Sequence, residues 1–250
     1  MSPRPRQEDS TSELTARSPL ALPARSMVPD PASKGILRDR KEAGERLAER
    51  LLRYRDAHPL VLALPRGGVP VGYEIARRLE VPLDVLIVRK IGAPSNPEYG
   101  LGALVEDGSR YLDEPRIREA GYALNDLEPT IARELAEVRR RAQTYRKGRP
   151  PLEVRDQVVI LVDDGVATGA TLRAAIRSVR SRHPRRVVVA LGVAPRETLH
   201  QLGREADEVI ALLVPELFFA VGEWYGRFDQ VSDTEVEQLL ERAELPAPTS

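Results

Sequence analysis

Two carboxylates stand side by side at Asp163 and Asp164, after five apolar residues and ahead of a run of glycine, alanine and threonine. The string Val158-Val159-Ile160-Leu161-Val162-Asp163-Asp164-Gly165-Val166-Ala167-Thr168-Gly169-Ala170-Thr171-Leu172 reads as a strand, a tight loop and the first turn of a helix. A helix start offers free backbone N–H groups and the positive end of a dipole. Gly165 and Gly169 let main chain come close to an anion, and the hydroxyls of Thr168 and Thr171 add donors. Together these form a phosphate cradle. The acids cannot serve that phosphate, because like charges repel; they suit sugar hydroxyls or a hard cation such as Mg²⁺. The segment therefore asks for a ligand with a phosphate at one end and hydroxyls or a cation beside it, and a ribose 5-phosphate has that form. Paired acids at the end of a strand are common; two acids, three residues and then Thr-Gly-x-Thr are far less so.

Other groups could join them. Ala63-Leu64-Pro65-Arg66-Gly67-Gly68 follows an apolar run, and its glycines allow unusual backbone angles and exposed N–H groups that can face an anion. Arg89 and Lys90 close a further apolar run; Arg suits bidentate contacts to phosphate, and Lys acts as a point charge. Trp224 and Tyr225 lie in a glycine-flanked segment and either stack on a planar ligand or pack an edge of the core.

The elements that must position these groups follow from periodicity. Regular structure begins near Asp39, with Leu47, Ala48, Leu51 and Leu52 at helical spacing. Residues 60–64 read as a buried strand stopped by Pro65, and Val71, Ile75, Ala76 and Leu79 as a helix face; residues 83–88 read as a second strand. Residues 89–109, rich in Gly, Pro, Ser and Asn, read as a long loop with a short strand near 101–105. Ile131, Leu135 and Val138 mark a charged helix, and Arg139, Arg140 and Arg141 its solvated face. Strands are expected at 158–162, 187–193 and 209–214. Leu172, Ala175, Ile176 and Val179 give the clearest helix face, another helix spans 195–202, and Ser232 with Glu235 forms a capping box on the last. Strands that are apolar throughout belong in a sheet buried on both faces. Alternation with helices then predicts an α/β fold with one doubly wound, mostly parallel sheet, whose ligands bind beyond the carboxyl ends of its strands.

The balance of the chain narrows its partners. The 250 residues are 42% apolar and 30% charged, with a formal net charge of zero. That balance gives no push toward nucleic acid. The absence of cysteine excludes disulfides, thiolate metal sites and a cysteine nucleophile. His58, His183 and His200 have no zinc-site spacing and read as surface or loop residues. No apolar run approaches the ~18 residues of a membrane span, so no membrane partner is expected and cytoplasmic residence is the default. Residues 1–33, with six scattered prolines, read as a disordered tail; residues 34–245 read as the domain and 246–250 as a disordered C-terminus.

The string at 158–172 resembles the signature of the type I phosphoribosyltransferases, and the similarity runs over residues 37–243. Pro-Arg-Gly-Gly at 65–68, Arg-Lys at 89–90, Asn-Pro-Glu at 96–98 and the segment 218–228 resemble a branch of that family with undefined acceptor. The resemblance implies the type I fold with a small hood. It implies Mg²⁺ as cofactor and 5-phosphoribosyl-1-pyrophosphate (PRPP) and a small-molecule acceptor as partners, and it leaves a homodimer open. By the same resemblance Asp163 and Asp164 hold the ribose hydroxyls, directly or through the metal. Gly165, Val166, Ala167, Thr168, Gly169, Ala170 and Thr171 bind the 5-phosphate, and Arg66, Gly67 and Gly68 the pyrophosphate. Arg89 and Lys90 act in catalysis at the base of a closing loop that includes residues 96–100. Some purine-type members carry an acid where this chain has Ala167, which leaves the general base open; Glu98, Glu106 and Asp107 are candidates by position. Trp224 and Tyr225 are the acceptor candidates. The expected reaction is phosphoribosyl transfer to a nitrogenous base with release of pyrophosphate. The alternative is a regulatory module that binds PRPP without catalysis, although neither a helix-turn-helix segment nor a net positive charge supports it. Synthesis of PRPP from ATP is a third reading, without a Walker-type loop.

Overall fold

The computed structural model describes residues 27–29 and 35–243, apart from the side chains of 27–29 and Glu98. Most of the expected N-terminal tail and all of residues 246–250 lie outside the described residues. Met27–Pro29, inside the stretch read as a tail, forms strand β1.

In chain order α1 spans Arg40–Leu51, β2 Leu60–Ala63, α2 Gly68–Leu79 and β3 Leu83–Val85. There follow β4 (Val88–Ala93), β5 (Asn96–Val105), β6 (Arg110–Leu112), α3 (Glu114–Glu119) and α4 (Glu128–Arg146). The second half holds β7 (Val158–Gly165), α5 (Ala170–Ser181), β8 (Arg186–Val193), α6 (Arg196–Glu205), β9 (Glu208–Leu213) and α7 (Asp233–Arg242). Two helix starts follow from side chains that can accept a main-chain hydrogen bond: Asp39 caps α1 through Glu42 N–H and Ser232 caps α7 through Glu235 N–H.

The main sheet has the order β1-β9-β8-β7-β2-β3, and every pairing in it is parallel. Alternate residues of β7 go to opposite faces. Val159 and Leu161 pack with Leu172, Ile176 and Leu202 from α5 and α6, while Val158, Ile160 and Val162 pack with Leu47, Val71 and Ile75 from α1 and α2. Both faces are covered, so the strand needs apolar residues at every position. The chain leaves β2 toward β3 on one side and returns as β7 on the other, which puts the topological switch point between β2 and β7.

The expected strand at 83–88 is two strands. Val88 already belongs to β4, part of a separate antiparallel sheet of order β4-β5-β6. Residues 89–109, read as a long loop, are mostly this sheet, the hood. Glycine makes it possible: a methyl on Gly92 would lie 2.3 Å from Pro97 O, and one on Gly102 2.3 Å from Tyr111 O. Small residues that permit such close pairing also erase the apolar periodicity that marks a strand. The hood has its own core of Ile91, Leu101 and Leu104 against Ile117, Leu127 and Ile131.

Candidate active site

Strand β7 continues through both acids; Asp163 still pairs with Leu191 of β8. Asp164 N–H donates to Asp163 Oδ1 at 2.9 Å. Asp164 is only 8% exposed and is held at both ends. Its carboxylate accepts from Arg40 Nε at 2.7 Å, and its main-chain carbonyl accepts from the Tyr225 hydroxyl at 2.6 Å. Burial and the neighbouring Asp164 charge hold the Asp163 carboxyl well above the usual carboxylate range. Burial raises Asp164 as well, against the downward pull of the Arg40 guanidinium. Two crowded acids of this kind gain from a proton or a cation in front of them.

The loop after β2 closes onto the same acid. A methyl on Gly67 would lie 2.0 Å from Asp164 Oδ2, and one on Gly68 2.6 Å from Val162 O. The expectation that these glycines supply unusual backbone angles is corrected here: Gly67 has an ordinary φ of −61°, and neither residue has positive φ. Glycine is needed for the close approach. The Pro65–Arg66 peptide is cis, Gly68 N–H donates to Leu64 O at 3.0 Å, and α2 starts at once, with its N-terminus beside the acids. Arg66 stands 3.6 Å from Asp233 of α7.

In the loop after β7, Gly169 does need positive φ, at +73°, and caps α5. Thr198 Oγ1 donates to Ala167 O at 2.6 Å, which ties the loop to α6. Ala167, Thr168 and Ala170 line an open cavity of about 480 Å³, lined on the hood side by Tyr111, Asp113 and Arg116. The expected phosphate cradle is thus a helix N-terminus that opens on a cavity.

Other sequence candidates are placed elsewhere. Arg89 donates to Glu134 of α4 at 2.7 Å, and with Lys90 it lines a cavity of about 330 Å³ whose lining includes none of residues 163–171. Glu106 is buried against Arg146, which donates to it at 2.7 Å, and Asp107 accepts from Ser178 Oγ at 2.6 Å. Burial raises the Glu106 carboxyl, opposed by Arg146. Glu98 lies in β5. Tyr225 is 5% exposed and braces Asp164, so its ring is not open to stack on an acceptor; burial pushes its phenol up. Trp224 is half-buried against the α1/α2 side of the core. His58, His183 and His200 are all exposed.

Among the described residues no group of three His, Cys, Asp or Glu side chains could enclose a metal. The acid pair still suits Mg²⁺, which is commonly bound by one or two carboxylates with waters and substrate phosphate oxygens completing its octahedron. Also among the described residues, no helix is long and apolar enough to cross a membrane.

The fold agrees with comparisons to known proteins. Residues 34–210 match the family described as the phosphoribosyl transferase domain. A putative phosphoribosyl transferase of Mycobacterium tuberculosis (strain ATCC 25618 / H37Rv) is 42% identical over 205 residues, which cover 82% of this chain and 46% of that protein. The chain thus spans about half the length of the curated relatives it matches. The crystal structure of TT1426 from Thermus thermophilus is 48% identical, covers 83% of this chain and 98% of that one, and superposes with a TM-score of 0.71.

Proposed function

The chain belongs to the phosphoribosyl transferase domain family, and from that premise we propose that it transfers the 5-phosphoribosyl group of PRPP to a nitrogenous base, with release of pyrophosphate. One observation carries the reading: the glycine loop after β2 and the acids at the end of β7 meet across the switch point, with Gly67 against Asp164. The N-terminus of α5 opens from the same strand end.

The chain's own groups divide the substrate among them. The N–H groups at the start of α5 and the Thr168 and Thr171 hydroxyls take the 5-phosphate. The acid pair at the end of β7 faces the ribose hydroxyls. The main chain at Arg66, Gly67 and Gly68 and the N-terminus of α2 face the departing pyrophosphate, where fixed donors act most strongly if water is excluded. Mg²⁺, when bound, supplies positive charge to the pyrophosphate oxygens. Arg89 and Lys90, on the hood, belong to the proposal as groups carried toward the site by hood closure. Cytoplasmic residence and the absence of a nucleic-acid partner are part of the same reading, and the zero formal net charge supports the second of these.

The test is calorimetric titration of PRPP with Mg²⁺ into the wild type and the Asp163→Asn/Asp164→Asn variant, followed by an acceptor screen for pyrophosphate release. Binding that the variant loses, together with release, supports the transferase. Binding without release from any acceptor supports a PRPP-binding module instead. No binding to folded wild type refutes both.

A further inference from the structure

The adjacent acids have different surroundings. Asp164 is enclosed: Arg40 Nε lies 2.7 Å from its carboxylate, Tyr225 holds its carbonyl, and Gly67 leaves no room for a methyl beside it. Arg40 is itself fixed on three sides. Its side chain is 12% exposed, its guanidinium carbon sits 3.9 Å from the Phe228 ring centroid, and its Nη1 donates to Asp229 O at 2.7 Å. The start of α1 is stitched to this same stretch. Gly226 N–H donates to Leu37 O at 2.7 Å, Arg227 N–H to Arg38 O at 2.9 Å, and the Arg227 guanidinium to Asp39 Oδ2 at 2.7 Å. Asp163 has a different setting. Its carboxyl is desolvated as well, but the hydrogen bond it accepts, at Oδ1, comes from a main-chain N–H rather than from a guanidinium.

We propose that the two acids are not equivalent: Arg40 clamps Asp164 as a positioning residue, and Asp163 is the carboxylate this chain presents to the ribose and the cation. The inference rests on the phosphoribosyl reading above and adds a division of labour to it. A carboxylate paired at 2.7 Å with a buried guanidinium has already spent its strongest interaction, and a ligand would have to break that pair to use it. Arg40 also bonds Asp229 O, so the stretch that carries Tyr225, the second brace of Asp164, is fastened through the same guanidinium.

Calorimetry with PRPP and Mg²⁺ on four variants, alongside thermal unfolding without ligand, tests this. Asp163→Asn should weaken binding about a hundredfold, the loss of a charged hydrogen bond. Asp164→Asn keeps an oxygen for Arg40 and should weaken it about tenfold or less. Arg40→Met should weaken binding and lower the melting temperature, because it strands a buried charge. Arg40→Met/Asp164→Asn should regain part of both relative to Arg40→Met, since the stranded charge is gone. Equal losses for Asp163→Asn and Asp164→Asn would overturn the division of labour, as would a double variant that binds no better than Arg40→Met. A folded wild type that binds no PRPP refutes the phosphoribosyl reading and the division with it. The ligand-free melting temperatures then still report whether Arg40 and Asp164 are coupled.

Discussion

The strand ends at β2 and β7 and the root of the hood are fixed by different means. Beside the Arg40–Asp164 pair, the strand ends are held by a steric fit: Gly67 against Asp164, Gly68 against Val162 O, and, in the neighbouring β8, Gly192, where a methyl would lie 2.0 Å from the Tyr225 hydroxyl. At the hood root the fit is electrostatic. Arg146, at the end of α4, reaches Asp84 in β3 at 3.0 Å, Glu106 beyond β5 at 2.7 Å and Val85 O at 2.6 Å, with all three side chains about a tenth exposed or less. The strand ends should therefore fail when an atom is added, whereas the hood root depends on its charges.

Removing the charge has the largest expected effect. Arg146→Met leaves two acids buried without a counter-charge and should cost about 3–5 kcal/mol in chemical denaturation. Adding Asp84→Asn and Glu106→Gln should restore much of it. A loss below ~1 kcal/mol would show that apolar packing, not Arg146, fastens the hood. Adding a methyl comes second. Gly67→Ala should cost about 1–3 kcal/mol and displace Asp164, lowering PRPP affinity as well. Gly72→Ala is the control on the same helix, because its nearest neighbour would be the Ala63 side chain, at 3.0 Å, rather than an acid of the site. If Gly67→Ala binds PRPP as the wild type does, the steric account of the strand ends is wrong.

Tyr225→Phe should cost about 1 kcal/mol, read by denaturation, since it leaves the buried Asp164 carbonyl without its donor. The smallest effect lies on the exposed face of α4. Hydrogen bonds from Arg140 and then Arg141 draw the Glu137 carboxyl down to about 2, against an ordinary value of 4.5. A depressed acid stabilises above its unfolded value and loses that contribution as pH falls through the folded one. Glu137→Gln should thus flatten the pH dependence of the melting temperature between about pH 5 and 2 and shift it by about 2 °C or less at neutral pH, since exposed pairs are worth little.

Sequence reasoning found the strand ends more readily than the hood. Strands β7, β8 and β9 are apolar at nearly every position, and α5 has an unbroken face, so their periods are clear without any knowledge of partners. The acids and the two glycine loops stand out because rare spacing marks them. The hood was hidden because β4 and β5 pair through glycines and prolines, which carry no period. Arg40 was hidden for a different reason: its partner is 124 residues away, and nothing local marks an arginine one residue after a cap as part of a site. Trp224 and Tyr225 have types that fit stacking, but only burial decides their role, and for Tyr225 it decides for support of Asp164. The Ser232 cap was legible because it is local.

Strand β1 has a consequence for anyone who shortens this chain. Residues 27–29 pair in parallel with Val209, Ile210 and Ala211 at the end of the main sheet, yet they lie ahead of the stretch 34–210 that matches the family. A protein that starts where the match starts, at residue 34, would leave main-chain donors and acceptors of β9 without their neighbour, and an uncovered strand of that kind is a template for other chains. Its aggregation would be a fault of trimming and would say nothing about the chemistry of the site.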